Sequence, residues 1–125
     1  MTIKKRAYVA VVDDDESVRE SLPDLLREFG YEADGFSSAE EFLGSDKVGQ
    51  VECLVLDIAM PGMSGLDLQR ELNSRERKVP TVFITANGEE AARLRLPERG
   101  GVDCLLKPFT DTALLEAMQA ALKQK

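Results

Sequence analysis

The chain has 125 residues, 43% of them hydrophobic and 31% charged, and a formal net charge of −7. That length suits one domain able to bury a core of its own without a disulfide or a metal. The acidic balance argues against direct nucleic-acid binding, which rests on neutralising phosphates, and the absence of histidine excludes His-dependent triads and His-ligated zinc or haem.

No apolar run approaches the roughly 18 residues that a membrane span needs. Met1–Arg6 leads directly into a strand-like run, with no signal-peptide pattern. A cytoplasmic protein away from the membrane is the expectation. Cys53 and Cys104 lie inside the apolar runs "VECLVLD" and "VDCLLK" and read as small buried hydrophobes, far apart in sequence and unlike a redox or zinc pair.

In chain order, "AYVAVVD" (7–13) reads as a strand covered on both faces, because its apolarity is continuous and does not alternate. "VVDDDES" (11–17) then sets three carboxylates side by side at the edge of that run. Asp15, just before Glu16 and Ser17, suits the start of a helix, where a carboxylate meets the positive end of the dipole. Val18, Leu22, Leu25, Leu26 and Phe29 recur at helical spacing up to Gly30, a candidate terminating glycine. Pro23 interrupts that helix and is expected to bend it. "YEADGF" (31–36) is a weaker strand suited to a sheet edge, and "SSAEEFL" (37–43) a short helix with a Ser cap.

"ECLVLD" (52–57) is the third strand, Leu66, Leu68 and Leu72 mark a third helix, and "PTVFIT" (80–85) is the fourth strand. "GEEAARLRLPERGG" (88–101) should hold a further helix, short or broken because Pro97 would clash with the carbonyl of Arg93. "VDCLLK" (102–107) is the last strand. Leu114, Met118, Ala121 and Leu122 mark the last helix, with Thr110 or Asp111 as its cap. Five strands alternating with five helices imply an α/β fold: a doubly wound, five-stranded parallel sheet of order 2-1-3-4-5, a flavodoxin-like three-layer sandwich. One domain over 1–125 is expected, with no output domain in this chain.

In such sheets ligands bind at the carboxyl ends of the strands. The first polar residues after the strand-like runs are Asp13 and Asp14, Asp57, Thr85 and Lys107. Three carboxylates at one mouth repel unless a hard divalent cation joins them, and Mg²⁺ suits one or two carboxylates with waters and a phosphoryl oxygen. A carboxylate such as that of Asp57 can attack phosphorus. The transferred group then needs donors and positive charge, which Thr85, Lys107 and a metal would supply. A phosphoryl-accepting site is the coherent reading.

The stretches "VVDDDESVRESL", "VLDIAMPGMSGLDL", "VFITAN" and "LLKPF" resemble a response-regulator receiver domain across essentially the whole chain. The resemblance implies a two-component signalling protein that accepts a phosphoryl group on Asp57 from a sensor histidine kinase or phosphotransfer protein. It also implies a conformational relay in place of turnover of an external substrate. It gives Mg²⁺ (or Mn²⁺) as cofactor. Asp13 and Asp14 would be the acid pair, with Asp14 favoured as direct ligand, and Asp57 and the Ala59 backbone carbonyl would complete the set. Thr85, Ala86 and Lys107 would bind the phosphoryl group and act as the switch. Pro108 would form a Lys-Pro turn with a candidate cis bond. Dimerisation on phosphorylation is a further expectation; the chain is read as either a single-domain regulator or the receiver of a longer protein, and "DDDESVRESL" and "MPGMSGLDL" resemble receivers attached to helix-turn-helix output domains.

Two departures from the family pattern stand out. Receivers usually carry an aromatic switch residue three before the lysine; here it is Cys104, so the signal is expected to pass through Thr85 and its loop. The Pro97 segment predicts an unusual output face. Ala59 and Asn87 offer little to position an attacking water, which predicts moderate to slow loss of the phosphate.

Rival classes fit less well. An aspartate-nucleophile phosphatase needs an acid two after Asp57, where Ala59 stands, and a flavodoxin would not place "DDDE" against a flavin phosphate. A receiver-like interaction module that is never phosphorylated is the alternative that Cys104 keeps open.

Overall fold

A computed structural model of the chain describes residues 6–86 and 101–123, with residues 101–103 and 123 by their backbone alone. Five strands, β1 (Tyr8–Val12), β2 (Glu32–Phe36), β3 (Cys53–Asp57), β4 (Thr81–Thr85) and β5 (Gly101–Leu106), form one sheet of order β2-β1-β3-β4-β5. Every pairing is parallel. Among the described residues there are four helices: α1 (Glu16–Glu28), α2 (Ala39–Leu43), α3 (Gly65–Ser74) and α4 (Asp111–Lys123). The helix expected over 88–101, Pro97 within it, and the neighbouring Asn87 lie outside the described residues up to Gly101, where β5 begins.

Alternation along each inner strand divides the core in two. Ala10, Val12, Leu54, Leu56 and Phe83 face α2 and α3 through Ala39, Phe42, Leu68 and Leu72. Val9, Val11, Cys53, Val55, Val82 and Ile84 face α1 and α4 through Leu22, Leu26, Leu114, Ala117, Met118 and Ala121. Burial on both faces is why these strands read as continuous apolar runs. β2, paired on one side only, alternates between buried and exposed positions, as an edge strand does. No described helix is long and apolar enough to cross a membrane.

Side chains set the helix ends. Asp15 caps α1, its carboxylate accepting from the Ser17 N–H at 3.0 Å and the Ser17 hydroxyl at 2.8 Å. Gly30, at φ +95°, follows the end of α1. Ser64 and Asp67 form a reciprocal capping box on α3. Thr110 caps α4, its hydroxyl accepting from the Ala113 N–H at 3.0 Å.

Pro23 is buried inside a continuous α1. It cannot donate to the Arg19 carbonyl one turn back. That carbonyl oxygen would lie 2.9 Å from a Cβ on Gly35, so the bare glycine lets β2 approach this turn of α1 closely.

Candidate functional site

Parallel strands all point their carboxyl ends to one edge, so the residues after β1 and at the ends of β3, β4 and β5 share a mouth. Asp13 is fully buried there and Asp57 is 7% exposed, while Asp14 is exposed. One carboxylate oxygen from each lies within 4.8 Å of the others. Lys107, immediately after β5, donates from Nζ to Asp13 Oδ2 at 2.8 Å and stands 3.7 Å from Asp57 Oδ2. The buried acids are therefore joined by one ammonium.

The loops are fixed by their own backbone. The Asp15 N–H donates to Asp13 Oδ1 at 2.9 Å, so the chain turns at once from Asp13 into the cap of α1. The Ala59 N–H donates to Asp57 Oδ1 at 3.3 Å. Thr85 is buried at the end of β4, and its carbonyl accepts from the Lys107 N–H at 2.8 Å, tying the two strand ends together. Ala86 is exposed beside it, and the Lys107–Pro108 bond is cis. Cys104 pairs with Phe83 in the β4–β5 register and is half-buried, less enclosed than Cys53; neither is in a disulfide.

The electrostatics favour a cation. Burial first, then the neighbouring charge of Asp13, pushes the Asp57 carboxyl up to about 7 against the opposing pull of Lys107. Burial alone would lower the Lys107 ammonium, but its hydrogen bond to Asp13 and the charges of Asp13, Asp57 and Asp15 hold it above its ordinary range. Asp15 is held below the usual carboxylate range by the Ser17 hydroxyl and N–H, so its charge is spent on the cap of α1. Among the described residues three carboxylates face one ammonium at this mouth, a balance that a cation would redress. Oxygen-only donors fit a hard ion such as Mg²⁺ or Mn²⁺.

Two contacts could not be read from motifs. Arg19 on α1 donates to the Asp13 carbonyl at 3.2 Å, pinning the loop that carries the acid pair. Glu40 on α2 reaches the loop after Asp57, accepting from the Met63 N–H at 3.3 Å. Arg19 is signalled only by helical spacing from Asp15, and Glu40 by nothing in the sequence.

A doubly wound sheet with this acid–lysine mouth defines the class, and the comparisons agree. The family profile of the response regulator receiver domain matches residues 9–119, and the chain belongs to that family. Nodulation protein W of Bradyrhizobium diazoefficiens is 44% identical over 119 residues, covering 95% of this chain and 52% of that protein. The structure of the response regulator StyR matches with a TM-score of 0.87 at 44% identity, covering 96% of this chain and 61% of that one. The response regulator protein TrrA from Thermotoga maritima, in complex with Mg²⁺-BeF, matches with a TM-score of 0.80 at 30% identity, covering 93% of this chain and 99% of that one. The chain spans about half the length of its curated relative. It is thus similar to the receiver part of two-component response regulators.

Proposed function

We propose that this chain is a phosphoryl-accepting receiver module, with Asp57 as the acceptor. The observation that carries the reading is the convergence at one sheet edge of carboxylate oxygens of Asp13, Asp14 and Asp57 within 4.8 Å of one another, with Lys107 ion-paired to Asp13 and Asp57. Asp14, Asp57 and the Ala59 backbone carbonyl would hold Mg²⁺, with Asp13 acting through water. When bound, the ion neutralises charge on the phosphoryl oxygens and on the carboxylates around them.

The chain's own residues do the rest. An Asp57 oxygen attacks phosphorus in line with the donor's P–N bond. The bond breaks as the P–O bond forms, and its electron pair leaves on the kinase histidine nitrogen, which takes a proton. Lys107 would pair with the arriving phosphoryl group, and Thr85 and Ala86 would donate to it. The donor would be a sensor histidine kinase or a phosphotransfer protein. The output would lie in a domain like those that lengthen the curated relatives, with self-association on phosphorylation as its trigger and the cytoplasm as its place. With Cys104 in place of an aromatic, the signal would pass through Thr85 and the loop after it. With Ala59 unable to orient water by its side chain, the acyl phosphate would decay slowly.

The binding of Mg²⁺-BeF by TrrA supports this reading. The test is incubation with acetyl phosphate and Mg²⁺, read by intact mass. One added phosphoryl group, lost in Asp57→Asn, is expected. No mass change in the wild type would favour the unphosphorylated interaction module.

A further inference from the structure

The loop after Asp57 is held in three places, and one hold comes from outside it. Within the loop, Ala59 donates to the Asp57 carboxylate at 3.3 Å and Gly65 to the Ile58 carbonyl at 3.1 Å. The third is Glu40 on α2, 23 residues before Met63, whose Oε2 accepts the Met63 N–H at 3.3 Å. A Cβ added to Gly62 would come 2.7 Å from that same oxygen. The carboxylate is therefore pressed against a residue whose φ of +74° already favours glycine.

We propose that Glu40 is a positioning residue for phosphoryl acceptance: its carboxylate latches the 58–64 loop and so fixes the backbone carbonyl of Ala59. This rests on the function proposed above, in which that carbonyl faces the cation. A plainer role would be to place charge at the amino end of α2. Glu41 already fills that role. Its N–H donates to the Ser38 hydroxyl at 3.0 Å, and its carboxylate accepts from the Ser37 N–H at 3.3 Å and hydroxyl at 2.9 Å. Glu40 turns away from its own helix end to a different loop.

The two roles separate in Glu40→Gln, which keeps an acceptor oxygen and removes the charge. The measurements are hydrogen exchange of the Met63 amide in metal-free protein and the Mg²⁺ dissociation constant from NMR shifts of the Ala59 amide. Glu40→Ala is expected to speed exchange at Met63 at least about threefold and to weaken Mg²⁺ binding roughly three- to tenfold, the range of one modest hydrogen bond. Glu40→Gln is expected to stay within about twofold of wild type in both. Glu40 is exposed, so both variants should fold, and circular dichroism melts would confirm it. Unchanged Mg²⁺ affinity in Glu40→Ala would overturn the latch and leave the proposed function standing. Glu40→Gln behaving as Glu40→Ala would assign the effect to charge and overturn the latch as well. A wild type whose Ala59 amide does not respond to Mg²⁺ would overturn both readings.

Discussion

In the function proposed above, Asp57 must meet two opposed demands: stay buried with Asp13, and carry the charge of a nucleophile. Without a metal, burial and Asp13 raise its pKa from 3.8 to about 7, so the folded chain keeps a proton that the unfolded chain releases. Its contribution to stability is full below about pH 4 and is lost as pH rises toward 7. In EDTA, Asp57→Asn should therefore melt higher than wild type by a margin that grows between about pH 4.5 and 7.5 and then levels. A margin that does not change with pH would contradict the assignment. Lys107 is the other half of the balance, because it alone among the described residues ion-pairs with buried Asp13. Lys107→Met should cost at least about 1–3 kcal/mol in EDTA, the range for an unmet buried acceptor, because a charged acceptor costs more than a neutral one. Denaturant titrations should also show that Mg²⁺ stabilises the variant more than the wild type, since the ion replaces the missing charge.

At the scale of elements, the site depends on how closely α3 can follow β3. A Cβ on Gly65 would fall 2.4 Å from the Asp57 carbonyl oxygen, and that neighbour is backbone, which cannot step aside. Gly65→Ala should destabilise by about 1–3 kcal/mol, the usual cost of overpacking. It should weaken Mg²⁺ binding too, because the relief of the clash moves Asp57. A titration showing wild-type affinity would mean that the loop absorbs the strain alone. In the sequence Gly65 is simply one of two glycines in the run "MPGMSGLDL". The physical reason at Gly65 is steric contact across the turn, which spacing cannot show. Pro23 is similar: the proline led to the expectation of a bend, yet α1 runs unbroken from Glu16 to Glu28, with Gly35 of β2 close against the Arg19 carbonyl.

For the whole molecule, the acid mouth should couple metal binding to global stability. A ligand at about a hundredfold its dissociation constant adds about 2.7 kcal/mol if it binds only the folded state. Melting curves in Mg²⁺ should therefore lie several degrees above those in EDTA. Asp14 is exposed, so Asp14→Asn should fold normally and lose most of that gain. An equal shift in the variant would remove Asp14 from the ligand set.

Much of this molecule could be read from its sequence. The strand positions were legible because burial on both faces leaves unbroken apolar runs, and the sheet order because β2 alone is weak enough for an edge. Asp13, Asp14, Asp57, Thr85 and Lys107 were legible as a set because each ends or follows a strand in a fold that sends all its strand ends to one edge. Asp15 was separable from its neighbours by its place ahead of a helix, and its bonds to Ser17 now fix that role. What the sequence could not decide was which side chain answers which. Only the tertiary structure gives Lys107 to Asp13 more closely than to Asp57, sets Arg19 behind the acid pair and brings Glu40 to Met63. Composition and periodicity are local, and assign each residue a face. Pairing across elements depends on distances of a few ångströms between chain segments far apart, which only the packed core sets.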